Sequence, residues 1–221
     1  MREYKHITLV CGHYGSGKTN VAINMVRDLA RLGGRCAIAD LDIVNPYFRT
    51  SDSEAELTAE GIRVIRSQYA GTNLDAPAMP ADMYAITEER EMKTVVDVGG
   101  DDRGALALGR LTPAILAEGD FEMLLVANRY RPLTPDAEST VAVMHEIEAA
   151  CGIQFTGIVN NSNLGRETDA DTVLSSLPYA RELSRMTGLP VVMTAAEESV
   201  VAVLEGSVPD LFPLKLQKYE L

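Results

Sequence analysis

Residues 12–19, Gly12-His13-Tyr14-Gly15-Ser16-Gly17-Lys18-Thr19, constrain this chain more than any other stretch. They follow the short apolar run 7–11 and lead directly into a segment of helical period. A backbone can wrap around phosphate oxygens and then feed a helix N-terminus only where Cβ atoms are missing, because several N–H groups must converge on one anion. Gly12, Gly15 and Gly17 supply that freedom, while His13, Tyr14 and Ser16 complete the cradle. Lys18 is placed to reach the β/γ-phosphates of a nucleotide, and Thr19 offers a hydroxyl to Mg²⁺.

The rest of the chain suits such a loop. Short β-rich apolar runs at 7–11, 35–39, 62–65, 94–98, 123–127, 156–159 and 190–193 alternate with helical segments at 18–32, 105–118, 135–151, 168–187 and 198–205. Gly33-Gly34, Gly152, Gly188 and Gly206 mark turns. This alternation predicts an α/β fold of the P-loop NTPase type, with a doubly wound, mainly parallel sheet of seven to eight strands and helices on both faces. At 221 residues with 46% apolar side chains, it predicts one nucleotide-binding domain over 1–221. Residues 69–80, with Gly71, Pro77 and Pro80, form a candidate long loop.

Ligands of parallel sheets sit at the carboxyl ends of the strands. Asp97 ends the run Thr94-Val95-Val96, the setting of an aspartate that holds magnesium through water. Gly99 and Gly100 follow, and a glycine N–H at Gly100 can approach a γ-phosphate that a side chain would block. Asp40 and Asp42 close the second strand with one residue between them, so both point the same way. One suits the metal's water shell and the other the attacking water; two aspartates at a strand end also read as a solvated edge. After the sixth strand comes Asn160-Asn161-Ser162-Asn163, with asparagine where a guanine-reading aspartate would fall. The amide of Asn160 can pair with adenine instead, which points to ATP, although such a run is also a common turn.

Together these motifs resemble the ParA/MinD-type deviant Walker ATPases, a family that includes the nitrogenase iron protein and cobyrinic acid a,c-diamide synthase. The likeness covers nearly the whole chain: GHYGSGKT, LDIVNPY and VDVGGD resemble the family's phosphate loop and two switches. Val159-Asn160-Asn161 resembles its strand-to-adenine segment, and the stretch from Leu189-Pro190-Val191 through Glu198 to Pro209 resembles its last base-covering loop and helix. The resemblance implies that Lys18, Thr19, Asp42, Asp97 and Gly100 act as phosphate, metal and switch residues, with Asp42 positioning water and Asn160 at the base. The family's signature lysine falls at His13, whose shorter imidazole is not a permanent cation. Arg49, beside Tyr47 and Phe48, is a candidate replacement across an ATP-dependent homodimer; it also reads as a solvated residue after a turn.

Composition narrows the partners. A formal charge of -12 with no basic cluster disfavours nucleic acid. Cys11, Cys36 and Cys151 lie far apart without a CxxC pair, which disfavours a zinc site, a disulfide scaffold or a bridged cluster. The N-terminal apolar run is too short for a signal peptide, and no segment approaches a membrane span, so a cytoplasmic protein without stable membrane insertion is expected. The functional expectation is a switch ATPase using ATP and Mg²⁺ that passes loop motion to an unidentified client protein. The alternative is a small-molecule kinase or amidoligase-like enzyme of the same fold.

Overall fold

The computed structural model describes residues 2–42, 54–66 and 81–216. Arg49, Tyr47 and Phe48, and the candidate loop 69–80, lie outside the described residues.

All five residues of β1 (Ile7–Cys11) are buried, as expected of a parallel strand covered on both faces. Their alternation sends Ile7, Leu9 and Cys11 into one apolar layer and Val10 into the other. α1 (Lys18–Arg31) packs Val21, Met25 and Val26 on the Val10 side. α4 (Asp102–Glu118), α5 (Ala137–Cys151) and part of α6 (Ala170–Thr187) cover the other side through Leu108, Leu111, Met144 and Leu183. The remaining strands are β2 (Arg35–Leu41), β3 (Arg63–Arg66), β4 (Met92–Val98), β5 (Phe121–Ala127), β6 (Gly157–Asn160), β7 (Val191–Glu197) and β8 (Leu211–Leu214). They form one eight-stranded sheet in the order β3-β2-β4-β1-β5-β6-β7-β8, with every pairing parallel.

This order places the site. The chain leaves β1 for β2 on one side, then leaves β4, beside β1, for β5 on the other. The loops after β1, β2 and β4 therefore emerge side by side at the point where the direction of winding reverses. Three helices begin with an aspartate cap: Asp101, Asp136 and Asp169 accept from the amides of Gly104, Ser139 and Thr172. α1 begins differently, from Gly17 in the left-handed conformation, with no side-chain cap and no acidic residue in its first turn.

The seven expected strands are all present, within a few residues of their expected ends. The eighth was hidden by Pro213, which removes a ladder donor; β8 pairs only with β7, and an edge strand tolerates that loss. Short elements were also missed: α2 (Glu54–Ala59), the 3₁₀ turn Ala81–Tyr84 and α3 (Ala85–Glu88) are too brief to show a period.

Gly104 offers a test of the packing. Alanine in a helix ordinarily gains about 1 kcal/mol over glycine. Here a Cβ would lie 2.5 Å from the Gly99 carbonyl oxygen. Gly104→Ala is therefore expected to lower stability by about 1–3 kcal/mol in urea unfolding, as overpacking does. A gain in stability would refute the close approach of α4 to the β4 turn.

Candidate functional site

The phosphate loop is shaped by what presses on it. A Cβ at Gly12 would lie 2.5 Å from the Val126 carbonyl oxygen, so β5 leaves no room for a side chain there. Gly15 and Gly17 have φ of 76° and 86°, the left-handed region that glycine enters without cost. A Cβ on Gly17 would also strike the Asn161 amide nitrogen. Ser16 is buried, its amide donating to the His13 carbonyl at 3.1 Å. Tyr14 is more than half exposed, and the Nδ1 of His13 lies 2.9 Å from the Tyr14 carbonyl. A carbonyl only accepts, so that nitrogen carries the proton.

Register brings the carboxylates together. β2 and β4 pair Asp40 directly with Asp97, and β1 pairs Val10 with Asp97 beside the start of the loop. Thr19 Oγ1 donates to Asp97 Oδ2 at 2.7 Å. Asp40 Oδ1 accepts from the Asp42 amide at 2.8 Å, and Lys18 Nζ lies 3.9 Å from Asp42 Oδ2. Lys18, Thr19, Asp40, Asp42 and Asp97 are all buried. Burial pushes the Asp97 carboxyl up to about 7, and the Asp40 and Asp42 charges push the same way; Lys18 and the Thr19 hydroxyl oppose them. Gly100 closes the site, where a Cβ would lie 2.7 Å from the Tyr14 nitrogen and 2.9 Å from Lys18 Nζ.

These groups suit a hard cation. Asp97 Oδ1 is buried with no hydrogen-bond partner, beside a hydroxyl and a second carboxylate in register. Among the described residues no three His, Cys, Asp or Glu side chains form a metal cage. Mg²⁺ binds with one or two carboxylates, substrate phosphates and water rather than in an all-protein cage. The three cysteines are buried free thiols.

A cavity of about 400 Å³ opens beside the loop. Lys18, Thr19, Arg131, Asn161, Asn163 and Glu197 are among the residues lining it, with Leu214 and Leu216 among the apolar ones. Asn160 is absent from this lining, and here the expectation needs correction. Its side chain is fully buried, with Nδ2 donating to Ser176 Oγ at 2.8 Å and Oδ1 accepting from the Ser162 amide at 3.3 Å. The next residue faces the cavity instead. Asn161 Nδ2 donates to the Ser16 carbonyl at 2.7 Å, while Oδ1 is buried without a partner. Asn163 is consumed locally, donating to the Asn161 carbonyl and accepting from the Gly165 amide. Arg131 and Glu197 carried no motif by which sequence reading could single them out.

No protein-family model matches the chain, and no curated protein sequence does. Solved structures do match. FtsY from Thermotoga maritima superposes with a TM-score of 0.60 at 17% identity, covering 89% of this chain and 63% of that one. Chloroplast FtsY from Physcomitrella patens gives 0.54 at 16%, covering 88% and 59%. The signal recognition particle receptor FtsY from Elizabethkingia anophelis, in complex with GDP, gives 0.54 at 14%, covering 88% and 58%. This chain thus spans about three fifths of the length of those structures. At such identities the likeness is one of fold: the chain has a P-loop NTPase fold.

Asp97 makes the protein's stability depend on pH. Its folded pKa of about 7 lies above the ordinary value of 3.8. Its contribution is therefore fully present below about pH 4 and is lost as pH rises through 7, where a charge must be buried. Asp97→Asn is expected to raise the melting temperature at pH 8 more than at pH 5, read by thermal denaturation without nucleotide. An equal change at both would refute the buried charge.

Proposed function

We propose that this chain binds Mg-ATP at residues 12–19 and acts as a slow switch ATPase whose loop motion is read by a client protein. One observation carries this reading: the Gly100 backbone lies against both the Tyr14 nitrogen and the Lys18 ammonium, beside Asp97. A group arriving between Lys18 and the β4 turn must move Gly100, so phosphate occupancy is coupled to the loop that starts α4. Lys18 and the loop amides bind the phosphates. Thr19 Oγ1 and Asp97, with Asp40 through water, would hold Mg²⁺, which neutralises phosphate charge when bound. Asp42, against Lys18, orients the attacking water.

The preference for adenine rests on Asn161 rather than Asn160. Its NH₂ is held by the Ser16 carbonyl, which fixes the amide orientation and leaves Oδ1 as the acceptor. Adenine presents an amine donor at its six-position; guanine presents a carbonyl there, which would set acceptor against acceptor. No carboxylate occurs in 160–163 to accept from guanine's donors. The reading includes an ATP-dependent homodimer, with Arg49 as the candidate cation across it.

The test is calorimetric. Lys18→Ala should abolish Mg-ATP binding with an unchanged circular dichroism spectrum. The parent should prefer ATP to GTP by at least about tenfold, roughly 1.4 kcal/mol, and Asn161→Ala should erase that preference. Asp42→Asn should bind Mg-ATP normally but lose most turnover. Unchanged ATP affinity in Lys18→Ala would overturn the site, equal ATP and GTP affinities in the parent would overturn the base assignment, and unchanged turnover in Asp42→Asn would overturn its role.

A further inference from the structure

Two cations of the cavity, Arg131 and Arg166, have no role in the reading above, and Arg131 is the one bonded to the phosphate loop. Arg131 lies in the loop between β5 and α5 and lines the same cavity as Lys18. Its Nε donates to the Gly15 carbonyl at 2.7 Å, joining that loop to the middle of the phosphate cradle. Among the described residues, its terminal guanidinium nitrogens make no hydrogen bond and no ion pair. A guanidinium has five N–H donors in a fork that matches phosphate oxygens, so one bond through Nε leaves four donors uncommitted. The chain carries 32 acidic residues, yet none neutralises this arginine among the described residues.

The loop that carries Arg131 is rigidly built. Fully buried Asn128 accepts from the Tyr130 and Asn163 amides through Oδ1 at 3.0 and 3.3 Å, and the Thr134 hydroxyl donates to the Asn128 carbonyl at 2.8 Å. Two more of its polar side chains are spent on α6: Arg129 Nη1 donates to the Ser175 carbonyl and the Tyr130 hydroxyl to the Thr172 carbonyl, both at 2.8 Å. Arg131 alone reaches the cradle. It does so from the β5 flank of β1, whereas Asp97 and Gly100 approach from the β4 flank.

We propose that Arg131 is a second phosphate-binding cation, gripping the nucleotide's phosphate chain together with Lys18; this rests on the nucleotide site proposed above. Its bond to Gly15 lies in the loop whose amides converge on phosphate, one residue before the Ser16 carbonyl that Asn161 holds. Fixing one edge of the guanidinium on the protein orients the free edge before the ligand arrives, so little rotamer freedom is lost on binding. The same charge also offsets the repulsion that an acidic protein exerts on a polyphosphate.

Three variants separate charge from loop anchoring: Arg131→Ala removes both, Arg131→Gln retains a donor for Gly15, and Arg131→Lys retains the charge. Calorimetry with Mg-ATP and Mg-ADP should show a loss of about tenfold or more in Arg131→Ala, as for a charge-assisted bond. Adenosine, measured by displacement of a fluorescent nucleotide, should bind all four proteins alike. Arg131→Lys should recover affinity better than Arg131→Gln, and Arg131→Gln should show a shallower dependence of affinity on salt than the parent. Equal recovery by glutamine and lysine, or parental affinity in Arg131→Ala, would overturn the phosphate role and leave a loop anchor. A parent that binds no nucleotide would overturn the site itself, an outcome visible before any variant is made.

Discussion

The hydrogen bond from Thr19 to Asp97 holds the site together, because it can form only if three separate conditions are met. β1 must lie beside β4 in the register that sets Val10 against Asp97, α1 must begin at Lys18, and the carboxylate must tolerate full burial. The doubly wound order meets the first condition, and the glycines of 12–19 meet the second. The third carries an energetic burden, visible in a carboxyl pushed up to about 7 with one oxygen left without a partner. Buried polar groups in this state are costly, and they persist where a ligand completes them.

The phosphate loop is gripped from every neighbouring strand. β5 presses the Val126 carbonyl against Gly12, the loop after β6 holds Ser16 through Asn161, and the loop after β5 holds Gly15 through Arg131. On the remaining side Gly100 lies against Tyr14 and Lys18. A loop so enclosed cannot change shape alone. A shift in any part of it would be passed to the turns after β4, β5 and β6.

Charge follows the same plan. The chain is acidic, with a formal charge of -12, yet among the described residues the cavity is lined by Lys18, Arg131 and Arg166 against the single carboxylate of Glu197. Composition alone therefore speaks against polyanions at the general surface and says nothing about a recess a few residues wide. Among the described residues no helix is long and apolar enough to cross a membrane.

The sequence by itself determined the local features: the phosphate loop, the helices expected at 105–118, 135–151 and 168–187 to within a few residues, and seven of the eight strands. Each of these is written within a short stretch of chain, in glycine spacing or apolar period. It also brought Asp40 and Asp97 forward as candidates, since both end apolar runs. Only the tertiary structure decided that they sit opposite each other, because register between strands far apart in the chain is set by packing. The choice between Asn160 and Asn161 was beyond local reading for a related reason. Adjacent residues at a strand end face opposite ways, so a displacement of one position exchanges a buried amide for a cavity-facing one. β6 also shifts register against β7 between Ile158 and Val159, which no periodicity announces. Arg131 was the hardest to see, since an arginine in a loop is ordinarily solvated; only the fold brings it to Gly15, across 116 residues of chain.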